Sequence, residues 1–517
     1  MIRFRGLSSR LLLGVFWLAL FAPAAQAQSD VDLSALDAYF AVASDAWDLP
    51  GFAVAIVKDG QLTFAKGYGV REIGKDALVD EHTLFAIASN TKAFTSAALA
   101  ILVDEESLSW DDRVVEYLPY FQLYAPYVTQ DMRIRDLLCH RSGLGTFSGD
   151  LLWYGTGYSR AEVVSRARYL KQAGPFRGSY GYQNIMFLAA GEVVPAVSGT
   201  SWDDFVRIKF FEPLGMTETV TSVADLGDMT NVATPHKPED GEVVTLAWYN
   251  WDAMAPAGGI ISSVNDMAKW LRLQLARGTI DGVTFFSEDA SRTMWTLHNP
   301  QAVSRQSERL FPSTHFRGYA LGWGLSDYLG RKVVSHGGGY DGMFSRVVLV
   351  PEENLGMVIL TNGMTNVQTA LANKILDTYL GGEDRDWSTE YLERSEQARL
   401  AKQKWWDSQR SKRVSGTRPS LPLDGYIGTY GGKMYGQATV SLEDGGLVLR
   451  LLPNPDLVGD LTHWHYDTFL VTWRNRFSWF DEGWVQFVKD KAGEVEEMKI
   501  DVPNDDLWFT ELEFMKE

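Results

Sequence analysis

Residues 85–99 read FAIASNTKAFTSAAL, and this stretch decides how the rest of the chain is interpreted. Ser is a favoured residue at a helix start, and the apolar residues that follow suit a buried helix, so Ser89 could be only a helix cap. Lys92 suggests more, because a residue three positions after Ser89 shares its helical face and places an ammonium group beside the hydroxyl. A Ser-x-x-Lys pattern recurs by chance, so the remaining sequence has to decide between a cap and a nucleophile.

The composition is that of a globular protein with room for two or more domains in its 517 residues. The formal net charge of -18 makes the chain a poor candidate for nucleic-acid binding, so we expect no nucleic-acid partner. Cys139 is the single cysteine, which excludes an intrachain disulfide and any Cys-x-x-Cys motif. Its neighbours are apolar, and we expect it to be a buried small hydrophobic residue.

The first 27 residues have the pattern of an export signal. Three arginines precede the short apolar run LLLGVFWLALFA, and Ala25-Gln26-Ala27 fits the small-x-small cleavage rule. Residues 1–27 are therefore predicted to be a signal peptide that is cut after Ala27. The alternative is an uncleaved membrane anchor, for which the run is short. We expect a bacterial periplasmic or secreted protein without a stable membrane anchor after cleavage.

Short β-like runs alternate with longer helical ones from about residue 32 to residue 385. The runs 54–57 and 62–65 flank Asp59-Gly60, which predicts a β-hairpin. The stretch NDMAKWLRLQL, residues 265–275, repeats apolar residues at helical spacing and predicts a helix with Asn265 as its cap.

The character of the sequence changes after residue 385. Residues 386–420 are charge-rich and end in a Pro-bearing segment, which predicts a linker that is helical in its first half. Short runs separated by turns in residues 421–517 predict a small antiparallel barrel or sandwich. His463 and His465 alternate as metal ligands can on a strand, but no third ligand is evident, so we expect a barrel wall and no metal site.

Chemistry at Ser89 needs partners, because a serine hydroxyl is a weak nucleophile until a base takes its proton. Lys92 can be that base only if burial or neighbouring cations keep it neutral for part of the time. Tyr182 could bridge Ser89 and the leaving group, while Asn184 could hold a substrate amide. The glycines after His336 would let backbone N–H groups approach a bound carbonyl oxygen.

These motifs resemble those of the penicillin-recognising serine hydrolases, the group that contains class C β-lactamases and DD-peptidases. Ser89-x-x-Lys92, Tyr182-x-Asn184 and His336-x-Gly338 occur in the family's order and rough spacing, and the resemblance covers nearly all of residues 32–380. It extends through HRSGL (140–144), GDLLWYG (149–155), FEPLGM (211–216) and PAGGIISSVNDMAKW (256–270). The tail, with LDGYIGTYGG and HWHYDTF, is similar to the lipocalin-like domain attached to many of these hydrolases.

The resemblance implies an α/β fold for residues 28–385. In the β-lactamase and DD-peptidase fold, an antiparallel sheet is flanked by helices and joined to a helical subdomain. Residues 386–420 would be the linker, and residues 421–517 a lipocalin-like antiparallel β-barrel.

The resemblance also implies roles for the site residues. Ser89 would be acylated, with Lys92 and Tyr182 sharing the proton transfers. Asn184, His336 and Gly338 would bind the substrate. The backbone N–H groups of Ser89 and Gly339 would form the oxyanion hole, in which one donor is typically worth about 10²–10³ in rate.

His336 departs from the pattern, because β-lactamases and DD-peptidases of the group usually carry Lys there. A histidine is mostly neutral near pH 7, so a permanent cation for a substrate carboxylate is missing. We therefore expect a peptidase or amidase acting on unusual or D-residue-containing peptides, with an esterase and then a β-lactamase as alternatives. No metal or other cofactor is expected, and the sequence carries no signal for an oligomeric state. The competing class is a non-catalytic periplasmic receptor, which would have no need of Ser89, Lys92 and Tyr182 together.

Overall fold

The computed structural model describes residues 31–517, so the predicted signal peptide lies outside the described residues. The N-terminal domain is built on one antiparallel sheet of eight strands in the order β2-β1-β8-β7-β6-β5-β4-β3. The strands are β1 (Gly51–Lys58), β2 (Gln61–Gly69), β3 (Asn299–Gln301), β4 (Arg317–Tyr319), β5 (Gly324–Tyr328), β6 (Arg331–Tyr340), β7 (Met343–Val350) and β8 (Leu355–Thr361). The predicted hairpin is confirmed as β1 and β2, with Asp59 and Gly60 both at positive φ, as its tight turn requires.

Helices cover both faces of this sheet, which is why β1 is buried along almost its whole length. The main helices are α1 (Leu33–Ala46), α2 (Thr91–Asp104), α3 (Asn184–Ser198), α4 (Val264–Leu275) and α5 (Val367–Leu380). Alternate residues of β1 point to the two sides: Val54 and Ile56 pack with α1 and α5, whereas Ala53 and Ala55 face the core that contains α2 and α4.

Shorter elements connect these helices and strands. The short α-helices are Val114–Tyr117, Pro126–Asp131, Ile134–Leu137, Arg160–Arg166, Trp202–Val206, Glu212–Leu214, Ala255–Gly258, Glu288–Met294 and Arg305–Leu310. Three small strand pairs are Phe85–Ala86 with Ile261–Ser262, His236–Glu239 with Glu242–Thr245, and Thr279–Ile280 with Val283–Thr284. Cys139 is fully buried among the apolar side chains of this region, as predicted.

The predicted helix at residues 265–275 is confirmed, but its predicted cap is wrong. The helix begins at Val264, and Ser263 caps it by accepting a hydrogen bond from the Asp266 N–H. Among residues 31–517, no single helix is long and apolar enough to cross a membrane; one pair, Asn184–Ser198 and Trp202–Leu214, passes that test together but is bent by 79°.

Residues 386–420 contain more order than a linker needs. Helix α6 (Trp387–Ser411) occupies most of this range. Its first residue is fully buried, and the Trp387 Nε1–H donates to Asp377 Oδ2 of α5 at 2.6 Å. Near its other end, the Trp406 ring lies 5.3 Å from the ring of Trp484. The helix is therefore anchored at both ends.

The C-terminal domain is a closed antiparallel barrel of eight strands, which confirms the predicted barrel and replaces the alternative of a sandwich. The strands are β9 (Gly428–Gly432), β10 (Gly436–Glu443), β11 (Gly446–Leu451), β12 (Val458–His465), β13 (Thr468–Trp473), β14 (Gly483–Lys489), β15 (Val495–Asp501) and β16 (Phe514–Lys516). His463 and His465 lie at an irregularity at the end of β12, where each forms a hydrogen bond with backbone.

The barrel is joined to the N-terminal domain by buried polar contacts. The Asp341 carboxylate in the β6–β7 turn accepts hydrogen bonds from Tyr154 (2.8 Å) and from Ser478 of the barrel (2.6 Å). Asn454 of the barrel donates to the Tyr154 carbonyl at 2.9 Å. The two domains therefore contact each other around Tyr154 and the β6–β7 turn.

Candidate active site

Ser89 lies in a short 3₁₀ turn, Ala88–Asn90, directly before α2. Ala88 has a φ of 47°, an unfavourable conformation for a residue with a side chain, so the turn is held by its surroundings. The helix begins at Thr91 after Asn90, and neither residue before it forms a side-chain cap. Ser89 is thus not a helix cap, and its hydroxyl is free to interact with Lys92.

The Lys92 amine is fully buried and lies between three oxygen atoms. Its Nζ is 3.0 Å from Ser89 Oγ, 2.8 Å from Asn184 Oδ1 and 2.8 Å from the carbonyl oxygen of Ala257. Burial lowers the pKa of Lys92 well below its usual value, and the nearby Asp150 only partly opposes this shift. A lysine that acts as a base must be neutral for part of the time, and the burial of Lys92 meets this condition.

The three oxygen neighbours of Lys92 can accept from a protonated ammonium, and they also fit a neutral amine. A neutral amine has two N–H groups and one lone pair, and the two carbonyl oxygens of Asn184 and Ala257 can only accept hydrogen bonds. When both N–H groups are used in this way, the lone pair faces the Ser89 hydroxyl, which can donate its hydrogen. The geometry is therefore that of a base ready to take the serine proton.

Tyr182 lines the same cavity as Ser89, and its ring centre lies 4.8 Å from Lys92 Nζ. The Ser89 hydroxyl is close enough to influence the pKa of the phenol. Burial raises the pKa of Tyr182 well above its usual value, so the phenol stays protonated. His140 holds this segment in place: its Nδ1 accepts the Gln183 N–H at 3.0 Å, and its ring lies 4.1 Å from the Tyr182 ring. The phenol can therefore donate a proton to the group that leaves the carbonyl carbon when Ser89 attacks it.

Asn184 connects Lys92 to Asp150. Its Oδ1 accepts from Lys92, and its Nδ2 donates to Asp150 Oδ2 at 2.6 Å. The residue therefore orients the lysine, and its predicted contact with a substrate amide stays a prediction.

Asp150 is the residue that sequence reasoning missed, although it lies inside the stretch GDLLWYG that contributed to the family resemblance. Its carboxyl group is buried, and this burial raises its pKa to about 8. It is therefore largely neutral at pH 7, and the site does not place a full negative charge beside Lys92.

Strand β6 brings its glycines against the Ser89 turn. A Cβ atom at Gly338 would lie 2.3 Å from the Ile87 carbonyl oxygen and 2.3 Å from Ser345 Oγ, so only glycine fits there. Its neighbours Gly337 and Gly339 line the cavity, and the predicted role of Gly338 in substrate binding stays a prediction. Its role is to let the strand approach the turn.

Gly339 does line the cavity, at an open edge of the sheet. Strand β5 pairs with β6 only as far as Ser335, so within the described residues the end of β6 has no strand neighbour on that side. The β6–β7 hairpin closes at the pair Tyr340 and Met343, and the alternation of antiparallel pairing then turns the Gly339 N–H away from β7. This N–H points to the open edge, as an oxyanion donor must.

His336 is more constrained than predicted. Its Nδ1 lies 2.5 Å from the Gly337 carbonyl oxygen and its Nε2 lies 2.6 Å from the Tyr319 hydroxyl. With Nδ1–H donating, Nε2 accepts from Tyr319, and both nitrogens are used. Burial, reinforced by Lys92, lowers the pKa of His336 to about 3. The imidazole is thus neutral and holds Tyr319, so it offers no cation to a substrate.

These groups meet in a cavity of about 550 Å³. Ser89, Tyr182, Asn184, His336 and Gly339 all contribute to its wall. Aromatic side chains form much of the remaining surface on the Ser89 side: Phe147, Trp153, Tyr154, Tyr180 and Trp251. The barrel completes the wall with Trp479, Asp506 and Leu507. The C-terminal domain is therefore part of the site.

The fold and site define a serine hydrolase of the β-lactamase and penicillin-binding-protein class. The β-lactamase family model matches residues 36–380, and the chain belongs to this family. A domain of unknown function matches residues 412–516, the region of the barrel. A relative from Aspergillus campestris named unguisins hydrolase is 31% identical over 428 residues, which are 77% of this chain and 75% of the relative.

Solved structures share the fold. The octameric penicillin-binding protein homologue from Pyrococcus abyssi superposes with a TM-score of 0.61 at 21% identity, over 94% of this chain and all of that one. A D-stereospecific amidohydrolase from Streptomyces sp. superposes with a TM-score of 0.53 at 20% identity, over 68% of this chain and 100% of that one. Together these findings make the protein a serine hydrolase of the amidase or esterase kind.

Proposed function

We propose that the protein hydrolyses amide bonds of peptides, including peptides that contain D-residues, through an acyl-enzyme on Ser89. The observation that carries this proposal is the buried Lys92 amine, whose two carbonyl neighbours leave its lone pair for the Ser89 hydroxyl. The relative named unguisins hydrolase supports a hydrolase. The preference for D-residues follows from the resemblance to DD-peptidases.

In the proposed reaction, Lys92 takes the Ser89 proton while Oγ attacks the scissile carbonyl carbon. The N–H groups of Ser89 and Gly339 stabilise the oxyanion. Tyr182 donates its proton to the leaving nitrogen and regains one from Lys92. A water molecule then attacks the acyl-enzyme with the same groups, which releases the acid and restores Ser89.

A protonated Tyr182 favours an amide over an ester, because an amine is the poorer leaving group and needs a proton more. A neutral His336 disfavours β-lactams, because it supplies no cation for their carboxylate. An esterase is thus the second candidate and a β-lactamase the third.

The test is covalent labelling followed by substrate choice. A fluorophosphonate or labelled penicillin should add one group to the intact mass of the wild type and none to Ser89→Ala. Ser335→Ala is the matched control, because Ser335 lines the same cavity without a lysine partner, and it should still be labelled. No adduct with any acylating probe would refute the proposed mechanism.

The substrate panel comprises D- and L-peptides, short-chain esters and a cephalosporin. We expect peptides to be cleaved with the highest kcat/KM. Turnover of the cephalosporin far faster than every peptide and ester would contradict the argument from His336.

Export is part of the same proposal. Cleavage after Ala27 would give a mature chain that starts at Gln28. N-terminal sequencing of protein from the periplasm or medium tests this, and a chain that retains residues 1–27 there would contradict it.

A further inference from the structure

Asp506 is an acidic residue of the barrel that lines the catalytic cavity. It lies in the connection between β15 and β16, where Asn504 Oδ1 accepts the Asp506 N–H at 3.0 Å. The side chain is half-buried, whereas that of the neighbouring Asp505 is exposed. The C-terminal domain thus places a carboxylate in the cavity through a fixed turn.

The Asp506 carboxylate has no cationic partner within residues 31–517. The influences on it are burial and the like charge of Asp505, and both raise its pKa, to about 6. A half-buried carboxylate is usually paired, because desolvation without compensation is unfavourable. At pH 7 this carboxylate is mostly ionised and has no positively charged partner among the described residues.

The carboxylate lines the same cavity as Ser89 and Tyr182. Its charge raises the pKa of both Tyr182 and Asp150, so it is close enough to act on each of them. Asp150 is largely neutral and Tyr182 is protonated, so neither neutral group compensates the charge. Arg317 and Arg346 also line the cavity, but neither pairs with Asp506.

Aromatic side chains in the wall of the same cavity favour a cation as well. Trp153, Tyr154 and Trp251 form a packed aromatic group, with the rings of Trp153 and Trp251 at 5.1 Å. Aromatic faces attract ammonium groups, and a carboxylate adds a charged hydrogen-bond acceptor. A substrate anion would instead be repelled by Asp506.

We propose that Asp506 binds the ammonium group of the substrate, so that the enzyme selects peptides and acyl compounds with a free amino group close to the scissile carbonyl. This proposal rests on the proposed function and names the substrate class of the same site. Asp506 is then a specificity residue that the barrel supplies to the hydrolase domain.

The experiment compares matched substrates at pH 7, where α-amino groups are mostly protonated. The amide pair is alanine p-nitroanilide and its N-acetyl form, and the ester pair is alanine ethyl ester and its N-acetyl form, each with D- and L-alanine. The variants are Asp506→Asn and the control Asp505→Asn, which removes an adjacent charge that faces solvent. Fluorophosphonate labelling and thermal unfolding check that each variant is folded and retains a reactive Ser89.

We expect the wild type to prefer the free amine in kcat/KM by about tenfold or more, as for a charged hydrogen bond. Asp506→Asn should lose that preference, because its kcat/KM should fall more on the free-amine substrates than on the N-acetyl forms, and Asp505→Asn should keep the preference. An unchanged preference in Asp506→Asn, or a wild type that prefers the N-acetyl forms, would overturn the proposal.

The ester pair separates this proposal from the peptidase proposal. Amine preference on esters without cleavage of any amide would refute the peptidase function and support the role of Asp506. Amide cleavage with no amine preference on either pair would refute the role of Asp506 alone.

Discussion

Replacing Gly338 by alanine tests whether the approach of β6 to the Ser89 turn determines reactivity. The new Cβ would lie 2.3 Å from the Ile87 carbonyl oxygen, whereas ordinary contact begins at 3.4 Å. Because that atom belongs to the backbone, the strand or the turn must move by roughly 1 Å in a close-packed interior. We expect a loss of about 1–3 kcal/mol in the free energy of unfolding. A shift of this size at the reacting atoms typically costs about 10²-fold in rate.

The assay measures urea unfolding and the rate of Ser89 labelling by a fluorophosphonate. Gly337→Ala is the matched control, because the nearest atom to its new Cβ is Arg346 Nη1 at 3.5 Å, an ordinary contact at the end of a flexible side chain. The control should change both quantities little. Equal unfolding free energies and equal labelling rates in the two variants would refute the reasoning.

Two further predictions concern the buried titrating groups. Lys92→Arg should slow labelling by about 10²–10⁴-fold, because a guanidinium stays protonated and cannot act as a base. In the wild type, burial lowers the pKa of Lys92, so the labelling rate should stay high at pH 7. The rate should fall only as the pH drops through that lowered pKa. A pH profile of the labelling rate measures this, and a rate that rises only above pH 10 would contradict it. Asp150 has its pKa raised from 3.8 to about 8, so the folded state keeps a proton that the unfolded state releases, and this group's contribution to stability is lost as the pH rises through that interval. Asp150→Asn, which stays neutral, should therefore gain in unfolding free energy relative to the wild type between pH 5 and 8 in denaturant titrations, and a constant difference would show that the carboxyl is ionised in the fold.

The sequence predicted the proximity of Ser89 and Lys92 because that proximity is local in the chain. The i, i+3 spacing of Ser89 and Lys92 already places both at one helix start. The resemblance then supplied Tyr182, and the structure places it in the same cavity as Ser89. The runs 54–57 and 62–65 and the Asp59-Gly60 turn predicted the hairpin for similar local reasons.

What the sequence could not predict depends on distant contacts. Asp150 is a site residue because Asn184, 34 positions away, hydrogen-bonds to it. His336 Nε2 is already hydrogen-bonded, because the Tyr319 hydroxyl on β4 lies 2.6 Å from it. The charge-rich composition of residues 386–420 predicts a linker, because it gives no sign of a packing partner. In the structure, Trp387 at the start of this range packs into the N-terminal domain and donates a hydrogen bond to Asp377.

The cap of α4 was misplaced for a different reason. Ser263 and Asn265 are both suitable cap residues and lie two positions apart, so composition cannot choose between them. The choice is made by the Ser263 side chain, which accepts the Asp266 N–H at 3.1 Å.

Because α6 is anchored at both ends, its length sets the position of the barrel relative to the N-terminal domain. Trp387 is fixed in the N-terminal domain and Trp406 contacts the barrel, so the residues between them act as a spacer of set length and angle. Each residue of an α-helix adds about 1.5 Å of rise and about 100° of rotation. One inserted residue would turn the indole that faces the barrel away from Trp484, and with it the domain that delivers Asp506. Substrate choice at Ser89 is thereby linked to the residue count of a helix that contributes no atom to the cavity wall.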